Sequence, residues 1–260
     1  VLKQRIITGL SGLIIFLGIL FIMPQEVIKI SFGILFLIAG WEWSHLIESK
    51  NVGIKYIFLI ILAGLMLFIN CLIIDTEIIK ILSYFSILCW SILFFSMFFY
   101  PLDIPSSLGW LIAIIVLSQG FIAINWIYKE SAIFLLVFLS LVWVMDVGAY
   151  FVGKYFGRIK LAKFISPNKT WEGLIGGLLA ITLLSIPLSK YLLINSFVFI
   201  SFSIAIGLLS VVGDLTFSML KRNANIKDSG NILPGHGGIL DRIDSILSSA
   251  PLFTLGLIFL

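Results

Sequence analysis

The chain has 260 residues, of which 60% are hydrophobic and only 12% are charged, and its formal net charge is +4. Soluble domains are roughly half apolar and about a quarter charged, so this composition excludes a soluble globular protein. Apolar runs of about 20 residues recur, each long enough to cross a ~30 Å hydrocarbon core as a helix. The ~10-residue alternation of an outer-membrane barrel is absent. The sequence therefore predicts an all-α, polytopic integral membrane protein.

Taken in order, the apolar runs predict about nine transmembrane helices, at residues 6–23, 27–47, 56–74, 78–100, 108–128, 131–152, 173–195, 197–219 and 243–260. Lys3 and Arg5 precede the first run, which we interpret as a retained first helix rather than a cleaved signal peptide. We expect one membrane domain, 1–260. It divides into an N-terminal helical half, 1–130, and a C-terminal catalytic half, 131–260.

The placement of basic residues predicts the orientation of the chain. With the N-terminus in the cytoplasm, 13 of the 17 Lys and Arg residues fall on the cytoplasmic side. The reverse orientation would violate the positive-inside rule. Two long polar segments, 153–172 and 220–242, then face the cytoplasm, where nucleotides are available. We therefore expect a multi-pass protein of the cell's inner membrane with its active site facing the cytoplasm.

The second predicted span ends in Gly40-Trp41-Glu42-Trp43-Ser44-His45. The two tryptophans are typical of the aromatic belt at a membrane interface. Glu42 lies just inside this end of the span. A position facing a polar cavity is one interpretation of Glu42, and the less favoured one.

Four aspartates are expected to meet just inside the cytoplasmic interface. Asp146 and Asp214 each lie about two helical turns inside a span. Asp241 and Asp244 are three positions apart at the start of the last helix, which places both on one helical face. Unpaired carboxylates in one place would repel one another or take up protons. A divalent cation resolves this conflict and oxygen ligands suit Mg²⁺, so the sequence predicts a magnesium site; pairing with arginine side chains alone is the alternative.

Basic residues and a glycine turn accompany the aspartates. Lys221, Arg222 and Lys227 precede the turn Pro234-Gly-His-Gly-Gly238. Cations and metal neutralise charge on phosphoryl oxygens, and glycines let the backbone approach phosphates closely. These residues predict an intramembrane enzyme acting on a phosphate ester, with a transporter as the alternative. The sequence contains no Walker A loop, which disfavours P-loop hydrolysis, and no D-G-x-x-A-R core of the CDP-alcohol phosphotransferases.

The polar stretch resembles a long family signature. Ser218-Met-Leu-Lys221-Arg222, Lys227-Asp228 and Pro234-Gly-His236-Gly237-Gly238-Ile-Leu-Asp241-Arg242-Ile-Asp244 are together similar to the signature of the phosphatidate cytidylyltransferase (CDP-diacylglycerol synthase) family, with no departure within it. The upstream patterns D-x-x-A-Y-x-x-G, from Asp146, and S-P-x-K-T-x-E-G, from Ser166, are also similar to that family. The resemblance covers the second half of the chain, and the first half fits only as a stack of helices.

The resemblance implies a magnesium-dependent nucleotidyltransferase of phospholipid biosynthesis. Such an enzyme transfers CMP from CTP to phosphatidic acid and gives CDP-diacylglycerol and pyrophosphate. The implied partners are CTP, phosphatidic acid and membrane lipids, with no nucleic acid, and the oligomeric state is open, a homodimer included. A CTP-dependent lipid kinase is one alternative, and a phosphate or cation transporter is another.

The residues and the resemblance together give hypotheses for individual side chains. The predicted metal-binding residues are Asp214, Asp241 and Asp244, with Asp146 as a further candidate. The predicted catalytic residues are Asp214, Lys221, Arg222, Lys227, Asp241 and Asp244. The residues predicted to bind nucleotide or lipid phosphate are Ser166, Asn168, Lys169, Thr170, Lys227, His236, Gly237, Gly238 and Arg242. For Asp228, pairing with Lys227 and binding metal both stay open.

Overall fold

The computed structural model of the chain describes residues 2–47, 52–71, 75–232 and 237–259, with the backbone alone at residues 2–10, 13 and 71. Within these ranges the chain forms nine α-helices, a short 3-10 turn (Met97–Phe99) and a β-hairpin. The helices are α1 (Leu2–Ile22), α2 (Gln25–Trp43), α3 (Val52–Cys71), α4 (Thr76–Ser96), α5 (Ser106–Glu130), α6 (Ala132–Phe156), α7 (Trp171–Tyr191), α8 (Ser196–Asn223) and α9 (Leu240–Phe259).

Seven helices of the described chain, α3 to α9, are long and apolar enough to cross a membrane. The other two are α1 and α2, and α2 carries Glu26, Lys29 and Glu42 within its 19 residues. The predicted helical, polytopic membrane fold is therefore confirmed. The count of nine spans and the cytoplasmic N-terminus stay predictions.

The C-terminal half is packed closely because small residues lie between its helices. The contact between α6 and α7 is the most extensive between any two helices described. A Cβ atom at Gly148 would lie 2.7 Å from the Cβ of Ala180, and one at Gly177 would lie 2.7 Å from the carbonyl oxygen of Met145. Glycine at these positions lets the two helix backbones meet, as is common for helices in membranes.

Helix α9 is the most deeply buried of the seven candidate spans. Its Ser248 Oγ donates a hydrogen bond of 2.8 Å to the carbonyl oxygen of Leu209 in α8. A Cβ atom at Gly213 of α8 would lie 2.9 Å from the Cβ of Ser248. This close contact brings the neighbouring Asp214 of α8 beside Asp244 of α9.

A two-stranded hairpin, which the sequence analysis did not predict, lies in the polar segment between α6 and α7. Strand β1 (Lys160–Ala162) pairs antiparallel with β2 (Ser166–Thr170). Arg222 Nε of α8 donates to the carbonyl oxygen of Ile165 at 3.4 Å. Thr170 Oγ1 accepts a 3.1 Å hydrogen bond from Gly173 N and caps α7. The hairpin is thus held at both ends.

The interfacial-belt prediction is wrong for Trp43. Its side chain is only 2% exposed, and its ring meets that of Phe217 in α8 edge-on, with ring centroids 5.0 Å apart. The end of α2 is therefore packed inside the protein against α8. Trp41 is partly buried beside the rings of His45 and Tyr56.

Candidate active site

An open cavity of about 1490 Å³ is lined by the hairpin and by helices from both halves of the chain. One part of its wall is polar. The predicted site residues that line it are Asp146, Ser166, Asn168, Lys169, Thr170, Asp214, Lys221, Asp228, Asp241, Arg242 and Asp244. The structure therefore brings together all four predicted metal-binding aspartates and most of the predicted phosphate-binding residues.

Another part of the cavity wall is apolar. Side chains of α1, α2 and α6 contribute most of it, among them Phe16, Phe32 and Leu139. An apolar wall of this kind suits hydrocarbon, whereas the charged wall suits phosphate. The two surfaces belong to one continuous cavity, so a molecule with a phosphate head and an acyl tail could contact both.

Lys169 connects the hairpin to α8 inside the cavity. Its Nζ lies 2.5 Å from Oδ2 of Asp214, and the two side chains are 23% and 33% exposed. The other oxygen of Asp214 accepts a long hydrogen bond of 3.4 Å from Ser218 Oγ. Asp146 and Asp244 both interact electrostatically with Asp214. Asp214 thus repels both Asp146 and Asp244, and the Lys169 ammonium reduces that repulsion.

Asp241 sits in a different environment one helical turn from Asp244. Its Oδ1 lies 2.6 Å from Lys221 Nζ, and its Oδ2 accepts hydrogen bonds from Ser229 N at 2.9 Å and Gly238 N at 3.2 Å. These contacts hold the segment before α9 against α8. They give Asp241 a role in shaping the site, whereas its role as a metal ligand stays a prediction.

The fit of Mg²⁺ depends on the carboxylates. In the part of the chain that the structure describes, no group of three or more His, Cys, Asp or Glu side chains is already arranged to hold a metal ion. Asp146, Asp214 and Asp244 nevertheless line one cavity, where Asp214 repels the other two, and their oxygens are of the kind that Mg²⁺ prefers. These carboxylate oxygens fit Mg²⁺ as ligands. In this structure the ammonium group of Lys169 contacts one of them.

Some predicted residues do not line the cavity. Arg222 contacts the hairpin carbonyl described above, and Lys227 is exposed. Neither lines the cavity, and neither do Gly237 and Gly238. His236 lies outside the described residues, so its predicted role is unchanged.

Of the two interpretations of Asp228, the structure bears on one. Asp228 lines the cavity. Within the described chain it forms no ion pair with Lys227. Pairing with Lys227 is therefore not its role in this structure, and binding metal stays a prediction.

Glu42 is the functional candidate that sequence reasoning undervalued. It does not line the cavity; it is buried behind it and accepts hydrogen bonds from the segment that leads into α9. The signal in the sequence was a single acidic residue at the end of an apolar span. Its partners could not be found, because they lie almost two hundred positions away.

Comparison with known proteins covers both halves of the chain. The chain matches the family model described as the cytidylyltransferase family over residues 3–260. A phosphatidate cytidylyltransferase of Pseudomonas aeruginosa is 34% identical over 97% of this chain and 95% of that protein. One of Haemophilus influenzae is 32% identical over 97% of both chains. A third, of Staphylococcus aureus, is 39% identical over 56% of this chain and 59% of that protein. The similarity thus extends beyond the second half that carries the signature.

Proposed function

The chain belongs to the cytidylyltransferase family, and from this we propose that it transfers CMP from CTP to phosphatidic acid. The products are CDP-diacylglycerol and pyrophosphate. The observation that carries this choice of substrates is that a charged wall and an apolar wall belong to one continuous cavity. The full-length relatives that bear the name phosphatidate cytidylyltransferase support the same choice.

In the proposed reaction, an oxygen of the phosphatidate phosphate forms a bond to the α-phosphorus of CTP. The bond from that phosphorus to the bridging oxygen of the β-phosphate breaks, and pyrophosphate leaves with the electron pair. The attacking phosphate is already an anion near neutral pH, so the reaction needs little help from a general base. The main barrier is the repulsion between two polyanions, and the enzyme lowers it by positioning and charge neutralisation.

The cationic side chains of the cavity wall supply part of that neutralisation. Lys169, Lys221 and Arg242 line the same cavity as the aspartates. We assign to them contacts with the phosphates of CTP and with the departing pyrophosphate, where positive charge stabilises the developing negative charge. Lys169 enters from the hairpin, so the hairpin would help to position the nucleotide.

We further propose that Asp146, Asp214 and Asp244 hold Mg²⁺, with Asp241 as an additional candidate ligand. A bound magnesium ion would neutralise charge on the phosphoryl oxygens. The repulsion of Asp214 with both Asp146 and Asp244 in one cavity supports this assignment, because a cation relieves it.

The position of the enzyme in the cell is also a proposal. We place the protein in the inner membrane, with the charged wall of the cavity facing the cytoplasm, because the positive-inside rule favours that orientation. CTP would then enter from water while the acyl chains stay in the bilayer. A homodimer is the oligomer to test, by light scattering on the detergent-solubilised protein.

The deciding experiment is product analysis with purified protein, cytidine-labelled CTP, phosphatidate in detergent micelles and Mg²⁺. We expect label in the lipid fraction and pyrophosphate in the aqueous fraction. A CTP-dependent lipid kinase would instead leave the label in CDP and phosphorylate the lipid. Absence of labelled lipid under all magnesium concentrations would contradict the proposed reaction.

A further inference from the structure

Glu42 is a buried carboxylate that connects α2 to the start of α9. Its side chain is only 1% exposed. Its Oε2 accepts hydrogen bonds from Ser229 Oγ at 3.0 Å and from Leu240 N at 2.8 Å, and its Oε1 accepts one from Ile239 N at 3.0 Å. All three donors belong to the segment that carries the family signature, so one residue of the N-terminal half is bound to that segment by three hydrogen bonds.

These contacts amount to a helix cap supplied by another helix. The first N–H groups of an α-helix have no partner within the helix, and negative charge near that end is favoured by the helix dipole. Leu240 is the first residue of α9, and Ile239 directly precedes it. Glu42 therefore satisfies two backbone donors and places its charge at the positive end of α9.

The capped segment also determines the position of Asp241. Ser229 is shared between two carboxylates, because its hydroxyl group donates to Glu42 while its backbone N–H donates to Asp241. Asp241 in turn holds Lys221 in the cavity wall. A change at Glu42 would thus be passed to Asp241 through Ser229 and through the first turn of α9.

Glycines let the backbone close around Glu42. A Cβ atom at Gly230 would lie 2.5 Å from its Oε1, and one at Gly238 would lie 2.8 Å from its Cδ. A side chain at either position would displace the carboxylate. The sequence analysis assigned Gly238 to a phosphate-binding turn. In the structure, glycine is also needed at this position because a side chain would collide with Glu42.

We propose that Glu42 is a positioning residue for CMP transfer, which holds the start of α9 so that Asp241, Asp244 and Lys221 keep their places in the cavity wall. Glu42 does not line the cavity, so it acts through Ser229 and α9 rather than by touching substrate. This inference rests on the proposed function, and it adds a residue of the N-terminal half to the machinery of the reaction.

The test is the isosteric variant Glu42→Gln, which keeps the volume but turns one acceptor into a donor facing backbone N–H groups. We expect kcat to fall by roughly 10- to 100-fold, because small displacements of catalytic groups have effects of that size. The KM for phosphatidate should stay within about twofold, since the apolar wall is unchanged. Ser229→Ala should have a smaller effect. The double variant should be no slower than about Glu42→Gln alone, because both residues act in one network.

Ser44→Ala is the matched control. Ser44 is also fully buried at this end of α2, but its hydroxyl donates to the carbonyl oxygen of Trp41 in its own helix. We expect wild-type kcat from this variant.

Amide hydrogen exchange of a peptide covering 237–245 gives a measurement that does not depend on activity. It should be faster in Glu42→Gln than in wild type and unchanged in Ser44→Ala. If the kcat of folded Glu42→Gln stays within about twofold of wild type, or if exchange in 237–245 is unaltered, the positioning role is wrong. Lack of CDP-diacylglycerol synthesis by the wild type, with altered exchange in Glu42→Gln, would instead contradict the proposed reaction alone.

Discussion

Two lysine–aspartate pairs line the same cavity, but their surroundings differ. Lys221 and Asp241, which join α8 to α9, are 14% and 10% exposed, and the second oxygen of Asp241 accepts two backbone N–H groups. Lys169 and Asp214, which join the hairpin to α8, are 23% and 33% exposed. The second oxygen of Asp214 has only a long contact with the Ser218 hydroxyl group among the described contacts.

This difference indicates two kinds of ion pair. Removing either member of the Lys221–Asp241 pair would leave a largely buried charge without its partner, and removing Asp241 would also leave two backbone N–H groups without their acceptor. The pair therefore stabilises the site. The Lys169–Asp214 pair is more exposed and faces two further carboxylates. Breaking this pair, so that Lys169 binds a substrate phosphate and Asp214 binds a cation, therefore costs less free energy than breaking the Lys221–Asp241 pair.

The largest effect on activity is expected from Asp214→Asn. Loss of this charge should lower kcat by at least about 100-fold, because electrostatic groups at the reacting centre have effects of that size. The melting temperature should be unchanged or higher, since repulsion with Asp146 and Asp244 is removed. Asp103→Asn is the control, because Asp103 is exposed and does not line the cavity. A large loss of stability in Asp214→Asn would contradict the comparison between the pairs.

The two lysines should separate stability from activity. Lys221→Met should lower the free energy of unfolding by about 3 kcal/mol, because it leaves the Asp241 charge buried without its ion partner. Lys169→Met should cost less than about 1 kcal/mol, since its pair is more exposed. Lys169→Met should instead raise the KM for CTP by about tenfold, because the proposed contact between the Lys169 ammonium and a phosphate of CTP is lost. Thermal unfolding in detergent and steady-state kinetics measure both effects. Equal losses of stability in the two variants would show that the pairs are alike.

Magnesium should discriminate between Asp214 and Asp241. Chelation should abolish activity of the wild type, and added Mg²⁺ should restore it. Asp214→Asn should raise the magnesium concentration that gives half of the variant's maximal activity by several fold, because the ion loses one of its proposed ligands. Asp241→Asn should lower activity with a smaller change in that concentration, because Lys221 and two backbone N–H groups already contact the oxygens of Asp241. A shift of similar size in Asp241→Asn would show that Asp241 is a ligand as well, as the sequence predicted.

The smallest effect is expected from Ser218→Ala. Its hydroxyl group contacts Asp214 at 3.4 Å, which is at the limit of a hydrogen bond. We expect kcat to fall by about two- to threefold, which corresponds to a net contribution of roughly 0.5 kcal/mol. A loss above about tenfold would mean that the serine does more than orient the carboxylate.

The sequence predicted the helices well because long apolar runs leave few alternatives to a membrane-spanning helix. It did not predict the hairpin. The strands have only three and five residues, and contacts such as Arg222 with Ile165 hold the hairpin, rather than any alternating pattern. Short strands held by distant contacts leave little signal in the local sequence.

The grouping of the aspartates was predicted, but their separate environments were not. The three-residue spacing placed Asp241 and Asp244 on one face of α9, and both line the cavity. Asp241 lies in the first turn, where backbone N–H groups of the preceding segment reach it. Which donors reach a carboxylate depends on the path of that segment, and the spacing of residues does not contain this information.

The cap on α9 has a consequence for how the chain can be divided. A polypeptide of residues 131–260 would contain both α9 aspartates, yet it would lack the acceptor of the Ile239 and Leu240 N–H groups and of the Ser229 hydroxyl group. Those donors would then be left in a dry interior, where an unmet hydrogen bond is costly. The half that carries the signature is therefore not self-sufficient. During synthesis, the first turn of α9 can be capped as in the native structure only where α2 is already in place.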